Sequence, residues 1–334
     1  MSDPTSCAHP YADLTPDRVL DALEHAGMRG DGRLLQLNSY ENRVFLCHLE
    51  DGGSVVVKFY RPQRWNDAQI LEEHAYACEL AQAEVPVVAP LVLSGAAAGQ
   101  TLGHLGGLRF SVSPRRGGRS PELDDARTLR WLGRFIGRIH AVGALQPFVH
   151  RPTLDASSFG EEPLAWLLDH GLVPPDVAPA WTAAARSALD GVRRCFDAAG
   201  DVRRLRLHGD CHVGNILWTE AGPHFVDLDD ARMGPAVQDL WMLLSGDRGA
   251  MTRQLGEVLA GYEDFMAFDR RELHLVEALR TLRQLHFSAW LARRWDDPAF
   301  PAAFPWFGSS AWWSGQVVQL REQLEAMAEP PLAG

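Results

Sequence analysis

The sequence lacks the paired cysteines of a disulfide-rich or zinc-binding scaffold. No CxxC pair occurs, and the five cysteines are odd in number and widely spaced: Cys7, Cys47, Cys78, Cys195 and Cys211. A small secreted fold held together by disulfides is therefore excluded, because such folds carry dense cysteines in even numbers. Reduced thiols in a cytoplasmic protein are the simplest expectation.

Long hydrophobic runs are also missing. No stretch approaches the roughly 20 apolar residues that cross a bilayer, and residues 1–15 hold two aspartates and no apolar segment of signal-peptide length. Positive charge is in deficit, since the formal net charge is −11 and the pI is about 5.6. These features argue against a membrane or nucleic acid as the main partner, and a monomer is the default expectation.

What the chain does have is enough length and apolar content for two lobes. It contains 334 residues, of which 46% are hydrophobic. Pattern and turn signals in its first part predict a helix over residues 14–27, capped by Thr15 with Pro16 at its first position. They then predict, in order, strands at 34–37, 43–49 and 54–60, a helix from Asn66 or Asp67 to about Gln82, and strands at 87–93 and 108–112.

The run Ser113-Pro114-Arg115-Arg116-Gly117-Gly118 breaks this pattern and predicts a lobe boundary. Residues 1–113 would form an N-terminal nucleotide-binding lobe preceded by a helix. Residues 114–334 would form a C-terminal, mostly helical lobe that carries the catalytic loop, the metal site and the substrate side. In this second lobe, residues 125–143 predict a one-faced helix and residues 235–244 a buried one.

The most informative pattern is His208-Gly209-Asp210-Cys211-His212-Val213-Gly214-Asn215, followed after a short apolar strand by Asp227. An aspartate, an asparagine five residues later and a second aspartate form the arrangement of kinase-type phosphoryl transfer. Asp210 can orient the attacking hydroxyl, and the oxygens of Asn215 and Asp227 suit Mg²⁺. A polar turn between two strands is the simpler alternative, but the full spacing with both strands present disfavours it.

Lys58 lies in an apolar strand pattern, Val55-Val56-Val57-Lys58-Phe59. A buried lysine is costly unless an anion meets it, so the sequence predicts triphosphate oxygens and a helix carboxylate as partners. Glu73 is favoured over Glu72, because it shares a helix face with apolar Ile70 and Ala77.

Acidic residues also surround the second aspartate of the pattern. Asp227, Asp229 and Asp230 would repel one another without a cation, which hints at a metal, although Asp229 or Asp230 can simply cap a turn. Asp239 lies in apolar company and needs hydrogen-bond donors, which the backbone of the Asp210 loop could supply. We assign Asp239 a structural role.

At these residues the chain resembles the bacterial stress response kinase A family, a eukaryotic-like Ser/Thr protein kinase group on the aminoglycoside-phosphotransferase fold. The likeness covers nearly the whole chain and is carried by LNSYENRV (37–44), VKFYR (57–61), LEEH (71–74), LHGDCHVGNILW (207–218), FVDLDDARMGPAVQDLWMLL (225–244) and AWLARRWDDPAF (289–300). It implies an α+β, bilobal protein-kinase-like fold with a small β-rich N-lobe and a larger, mostly helical C-lobe.

The resemblance implies ATP- and Mg²⁺-dependent phosphorylation of protein Ser/Thr hydroxyls, in the cytoplasm, during stress. Asp210 would accept the proton and Asn215 and Asp227 would hold Mg²⁺. Ser39 would be an ATP-site residue, and Lys58 would pair with the phosphates. Compared with protein kinases at large, Gly209 replaces the arginine that follows the catalytic-loop histidine, and no Ala-Pro-Glu closes an activation segment.

Two other functions stay open at this point. A small-molecule hydroxyl kinase acting on an amino alcohol, sugar or antibiotic would share the fold. A pocket for a cation could be lined by Asp296, Asp297 and the tryptophan-rich tail, which comprises Trp290, Trp295, Trp306, Trp312 and Trp313. Those aromatics are more typical of inter-helix packing. A nucleotide-binding module without turnover is disfavoured, because binding alone does not require Asp210.

Overall fold

The computed structural model describes residues 10–334, which divide into two compact units. The first comprises the chain up to Gly118 together with His224–Asp229, and the second comprises Arg119–Pro223 and Asp230–Gly334. The short segment after residue 223 thus belongs with the first third of the chain, which sequence order alone does not reveal. The lobe boundary between residues 113 and 114 remains a prediction.

From residue 10 onward, the first unit contains one antiparallel sheet and two α-helices. The strands follow the order β1-β2-β3-β5-β4 across the sheet. In chain order the elements are α1 (Pro16–His25), β1 (Gly30–Leu37), β2 (Arg43–Leu49), β3 (Ser54–Phe59), α2 (Asp67–Gln82), β4 (Gly103–Leu105) and β5 (Leu108–Pro114). Buried side chains from α1 and the sheet form its core, among them Val19, Leu23, Val57, Phe59 and Phe110.

The predicted starts of both helices are confirmed. The Thr15 hydroxyl accepts a hydrogen bond from the main-chain N–H of Arg18, and Pro16 begins α1. Asn66 caps α2 in a capping box, in which its side chain accepts from the N–H of Gln69 and the Gln69 side chain accepts from the N–H of Asn66. Local side-chain chemistry determines both boundaries.

The strand predicted at residues 87–93 is wrong. In this stretch Val87 makes only one isolated bridge, to Phe225, and no regular strand forms. Pro86 and Pro90 have no N–H to donate, so a continuous ladder cannot run through them. Single bonds replace it, such as the one that the N–H of Leu91 donates to the carbonyl of Val112 at 2.7 Å. The short strand β4 was not predicted.

The second unit is mostly helical, with small strand pairs. Its helices are α3 (Ala126–Gly143), α4 (Glu162–Asp169), α5 (Ala178–Ala199), α6 (Gln238–Trp241), α7 (Arg248–Tyr262), α8 (Val276–Ala292), α9 (Ala299–Ala303) and α10 (Ser310–Ala328). The strands that follow α5 are β6 (Leu205–Leu207), β7 (Ile216–Thr219), β8 (Gly222–Phe225) and β9 (Arg232–Gly234), and the last two residues of β8 belong to the first unit. β6 pairs with β9, and β7 pairs with β8.

Helix α3 matches its prediction, while the buried helix predicted at residues 235–244 is much shorter. Only α6 is α-helical there, and the residues after it form turns with bonds between residues three apart, such as Leu243 N–H to Leu240 O at 3.2 Å. The small β-rich unit and the larger helical unit confirm the predicted α+β fold class. Within residues 10–334, no helix is both long and apolar enough to span a bilayer.

Candidate active site

The loop that carries Asp210 connects β6 to β7 in the second unit. Its backbone conformation just before Asp210 requires a glycine, Gly209. Gly209 has φ of +85°, and a Cβ at this position would lie 2.2 Å from the carbonyl oxygen of Asp230. Any other residue would therefore clash with backbone and adopt a strained conformation. The close approach of these two backbones explains why glycine stands where protein kinases usually have arginine.

The side chain of Asp239 fixes the backbone of this loop through hydrogen bonds. Its carboxylate is fully buried and accepts hydrogen bonds from the main-chain N–H groups of His208 at 2.7 Å and Gly209 at 2.8 Å. The imidazole Nε2 of His140 lies 3.0 Å from the same carboxylate. The side-chain amide of Gln238 donates to the carbonyl of Gly209 at 3.1 Å. The predicted structural role of Asp239 is confirmed by these contacts.

Asp210 lies between basic and amide groups of the same unit. Its Oδ1 is 2.6 Å from Nη1 of Arg283, and its Oδ2 is 3.4 Å from both His212 Nε2 and Asn215 Nδ2. Burial acts to raise the pKa of this carboxyl, but the His212 hydrogen bond and the charge of Arg283 outweigh it and lower the pKa to about 2. Asp210 is therefore ionised at neutral pH, and its oxygens can accept a hydrogen bond from an acceptor hydroxyl.

Asn215 presents a free amide oxygen next to Asp210. Its Nδ2 donates to the main-chain oxygen of Asp210 at 3.0 Å, while its Oδ1 accepts no hydrogen bond from the described residues. An amide oxygen in this state is a suitable ligand for a hard cation. Among residues 10–334 no cluster of three His, Cys, Asp or Glu side chains could hold a metal by itself.

Lys58 and Asp227 are brought together in the first unit. The ammonium of Lys58, on β3, lies 3.4 Å from Asp227 Oδ1 and 3.5 Å from Asp229 Oδ1. Burial acts to lower the pKa of Lys58, but nearby acidic groups outweigh it and hold that pKa well above its ordinary value: Tyr60, Asp229, Glu73 and Asp227. Lys58 is the only lysine in the sequence, and it stands where a compact ammonium can meet two carboxylates.

The position of Asp227 follows from the strand before it. The N–H of Phe225 donates to Pro86 O at 2.8 Å and the N–H of Val88 donates to Phe225 O at 3.0 Å, which ties this segment to the first unit. Asp227 then adopts a left-handed φ of +61°, a conformation that aspartate tolerates better than most residues. Its side chain is 50% exposed, so the carboxylate is open to a further ligand.

Asp229 and Asp230 have cationic partners from the protein itself. Asp229 is buried and binds Lys58, the guanidinium of Arg64 and the side-chain amide of Asn42. Asp230 forms an ion pair with Arg232. Protein side chains therefore neutralise the charge of these two residues, and the hint of a metal at this acidic run stays a prediction. Asp227 remains the carboxylate that is open to a cation.

Glu73 and Ser39 occupy positions compatible with their predicted roles. Glu73 is 4% exposed on the inward face of α2, whereas Glu72 is only partly buried. Glu73 contributes to the raised pKa of Lys58. The ammonium of Lys58 forms ion pairs with Asp227 and Asp229, and its pairing with Glu73 stays a prediction. Ser39 lies in the turn between β1 and β2 and makes no hydrogen bond with the described residues.

Sequence reasoning missed Arg283, Arg64 and Asn42. Arg283 lies 73 residues beyond Asp210, and Asn42 lies 187 residues before Asp229. Each is a polar residue in a segment whose pattern predicts only a helix or a turn. Arg283 gives no local signal either, because it lies in the mixed polar and apolar helical run Thr281-Leu282-Arg283-Gln284-Leu285.

Comparison with known proteins matches this geometry to a family. Residues 33–276 match the model of the phosphotransferase enzyme family. Stress response kinase A of Escherichia coli (strain K12) is 46% identical over 325 residues, which cover 97% of each chain. The chain belongs to the phosphotransferase enzyme family, within its stress response kinase A group. The predicted family is confirmed.

Two further relatives extend the comparison. The serine/threonine protein kinase RdoA of Salmonella typhimurium (strain LT2) is 44% identical over 97% of both chains. Among solved structures, an amicoumacin kinase in complex with AMP-PNP, Ca²⁺ and Ami superposes with a TM-score of 0.72 at 18% identity, covering 95% of this chain and 94% of the other. At that identity the superposition shows the fold alone, which is the predicted kinase-like fold.

Proposed function

We propose that this chain is an ATP- and Mg²⁺-dependent kinase that phosphorylates serine and threonine hydroxyls of proteins. The observation that carries the proposal is the Asp210 loop. The ionised carboxylate of Asp210 lies 3.4 Å from the side-chain nitrogen of Asn215, whose amide oxygen accepts no hydrogen bond from the described residues. A base and a metal ligand five residues apart are the parts that phosphoryl transfer requires on one loop. Membership of a phosphotransferase family and a relative named as a Ser/Thr protein kinase support it.

The remaining residues would bind the nucleotide. We assign Lys58 and Ser39 to the phosphates of ATP, with Glu73 holding Lys58 in place, and Asn215 and Asp227 to Mg²⁺. Bound Mg²⁺ would neutralise charge on the phosphates and orient them. This assignment uses the ammonium of Lys58 beside Asp227 and the open carboxylate of Asp227.

The proposed reaction transfers one phosphoryl group. The acceptor oxygen forms a bond to the γ-phosphorus while the bond from that phosphorus to the β–γ bridging oxygen breaks, and its electron pair leaves with ADP. The hydroxyl proton passes to the carboxylate of Asp210 and from there to solvent. Lys58 stabilises the charge that develops on the phosphates.

The metal role predicts that Asp227→Ala weakens Mg²⁺-dependent binding of ATP. Loss of a carboxylate ligand should lower the affinity at least roughly 10-fold, because even partners outside the ligand set change metal affinity by that factor. Calorimetry with ATP, with and without Mg²⁺, measures it. Asp31→Ala, which removes an aspartate paired with Arg33 in the same unit, should leave the affinity unchanged. Equal ATP affinity with and without Mg²⁺ in the unaltered protein would contradict the assignment.

A small-molecule hydroxyl kinase is the second candidate. The superposable structures include an aminopropanol kinase (TM-score 0.69, 17% identity). The tryptophan-rich tail does not favour a cationic substrate at Trp290, because Arg294 of the chain already lies over that ring, 5.5 Å from its centroid. Arg293, also in the tail, lies over Trp166 of α4 instead, 4.9 Å from its ring centroid. Trp290 also packs edge-to-face with Phe300 at 5.0 Å. Inter-helix packing accounts for these aromatics.

The acceptor class can be tested directly. The full chain is incubated with γ-labelled ATP, Mg²⁺ and a mixture of serine- and threonine-containing peptides, with 3-aminopropan-1-ol in a parallel sample. Label on peptide or chain hydroxyls, located by phosphosite mapping, is the expected result. Label only on the amino alcohol would favour the second candidate, and hydrolysis without transfer to any acceptor would overturn the kinase proposal.

We further propose cytoplasmic action in a stress response, as a monomer, without nucleic acid or membrane partners.

A further inference from the structure

Arg283 lies beside the proposed base, and several of its N–H donors make no hydrogen bond to the described residues. It projects from α8, and its Nη1 lies 2.6 Å from Asp210 Oδ1 within the second unit. No other residue of the described chain hydrogen-bonds its guanidinium, and its side chain is 42% exposed. A guanidinium has five donors in a rigid fork. Most of these donors therefore remain available to a molecule that approaches Asp210.

The same face of α8 continues with an exposed aromatic side chain. Phe287 lies four residues after Arg283, so the two side chains are neighbours along the helix. Its residue is 37% exposed, and its ring stacks on Trp290 with a centroid separation of 5.6 Å. The helix therefore presents a cation followed by an apolar ring on the side where Arg283 reaches Asp210.

An acceptor that loses its proton to Asp210 must place its hydroxyl within hydrogen-bond distance of that carboxylate. Groups attached within a few bonds of the hydroxyl then lie close to the Arg283 guanidinium. A carboxylate or phosphate there would gain a charge-assisted, bidentate hydrogen bond. An ammonium in the same place would meet a like charge. Arg283 thus discriminates between acceptors by the sign of their charge.

We propose that Arg283 is an acceptor-binding residue that selects hydroxyl acceptors with an anionic group close to the hydroxyl. For a protein substrate this means a serine or threonine flanked by acidic or phosphorylated residues. The inference rests on the proposed kinase function and names its substrate class. It disfavours amino alcohols and basic peptides as substrates.

Three serine peptides of equal length test the inference, with glutamate, glutamine or lysine on both sides of the serine. In the unaltered full chain, kcat/KM should be roughly 10- to 100-fold higher for the glutamate peptide than for the lysine peptide, since hydrogen bonds to charged groups account for factors of this size. Arg283→Gln should remove most of this preference, mainly through KM. Arg283→Glu should reverse it.

Arg280→Gln is the matched control, because Arg280 lies one turn earlier on α8 but pairs with Glu277 and stacks on Trp241 instead of contacting Asp210. It should preserve the ratio between peptides. A second pair, 3-hydroxypropionate against 3-aminopropan-1-ol, distinguishes the source of the anion. Phosphorylation of the hydroxy acid but of none of the peptides would support the selectivity for anionic acceptors and show that these acceptors are small molecules.

The outcomes separate this inference from the kinase function. If Arg283→Gln lowers kcat equally for all three peptides, Arg283 only positions Asp210 and the inference is overturned. Equal use of the three peptides by an active, unaltered enzyme would also overturn it and leave the kinase function standing. Absence of transfer to every acceptor, with ATP binding intact, would overturn both.

Discussion

Asp210→Asn should lower phosphoryl transfer by roughly 10²- to 10⁴-fold, the range that a positioned general base contributes. Asparagine has nearly the same size and keeps one oxygen that can accept from Arg283, so the loop should retain its shape. It cannot take the proton of the acceptor hydroxyl at neutral pH. The effect should therefore appear in kcat, with the affinity for Mg-ATP nearly unchanged.

Single-turnover transfer of labelled phosphate measures the loss, and calorimetry measures nucleotide affinity. Asp190→Asn is the matched control, because Asp190 also lies 2.6 Å from an arginine, Arg193, but is exposed on α5. It should retain full activity. Transfer by Asp210→Asn at the unaltered rate would refute the base assignment, while loss of ATP binding would mean that Asp210 acts on the nucleotide.

Short-range patterns in the sequence predicted the parts of the structure that local chemistry determines. Thr15 and Asn66 start helices through side-chain hydrogen bonds to residues three positions later. The neighbouring residues in the sequence are therefore enough to predict where each helix begins. The spacing of Asp210, Asn215 and the strands around them is local in the same sense. The contact between Asn215 and Asp210 crosses only five positions.

Long-range pairing was not predictable from one sequence. Residues 87–93 are rich in valine and leucine, and their apolar pattern predicted a strand. Whether such a segment joins a sheet depends on partner N–H groups that prolines remove and on neighbours far along the chain. The partners of Asp229 show the same limit, since Arg64 and Asn42 lie 165 and 187 residues away. Repulsion among the acidic residues was foreseeable, but the side chains that relieve it were not.

Asp239→Asn should destabilise the protein and inactivate it together. The Asp239 carboxylate accepts from two main-chain N–H groups and faces His140 Nε2, all at 3.0 Å or less. An asparagine side chain has one acceptor oxygen, so its NH₂ group must face a donor in either orientation. Each buried donor that loses its acceptor in this way costs about 1–3 kcal/mol. In a chain of this size that corresponds to a lower Tm by a few degrees.

The loss of activity follows because the bonds from Asp239 reach the two residues immediately before Asp210. A shift of the His208 and Gly209 backbone would move the base relative to the acceptor hydroxyl, and small misplacements of reacting groups cost large factors in rate. Thermal unfolding and transfer assays, run well below the lowered Tm, separate the two effects. Asp269→Asn is the control, because Asp269 also accepts a main-chain N–H bond, at the partly exposed start of residues 270–275, where asparagine caps equally well. Full activity in folded Asp239→Asn would mean that the loop keeps its geometry without this support, and the positioning role would be wrong.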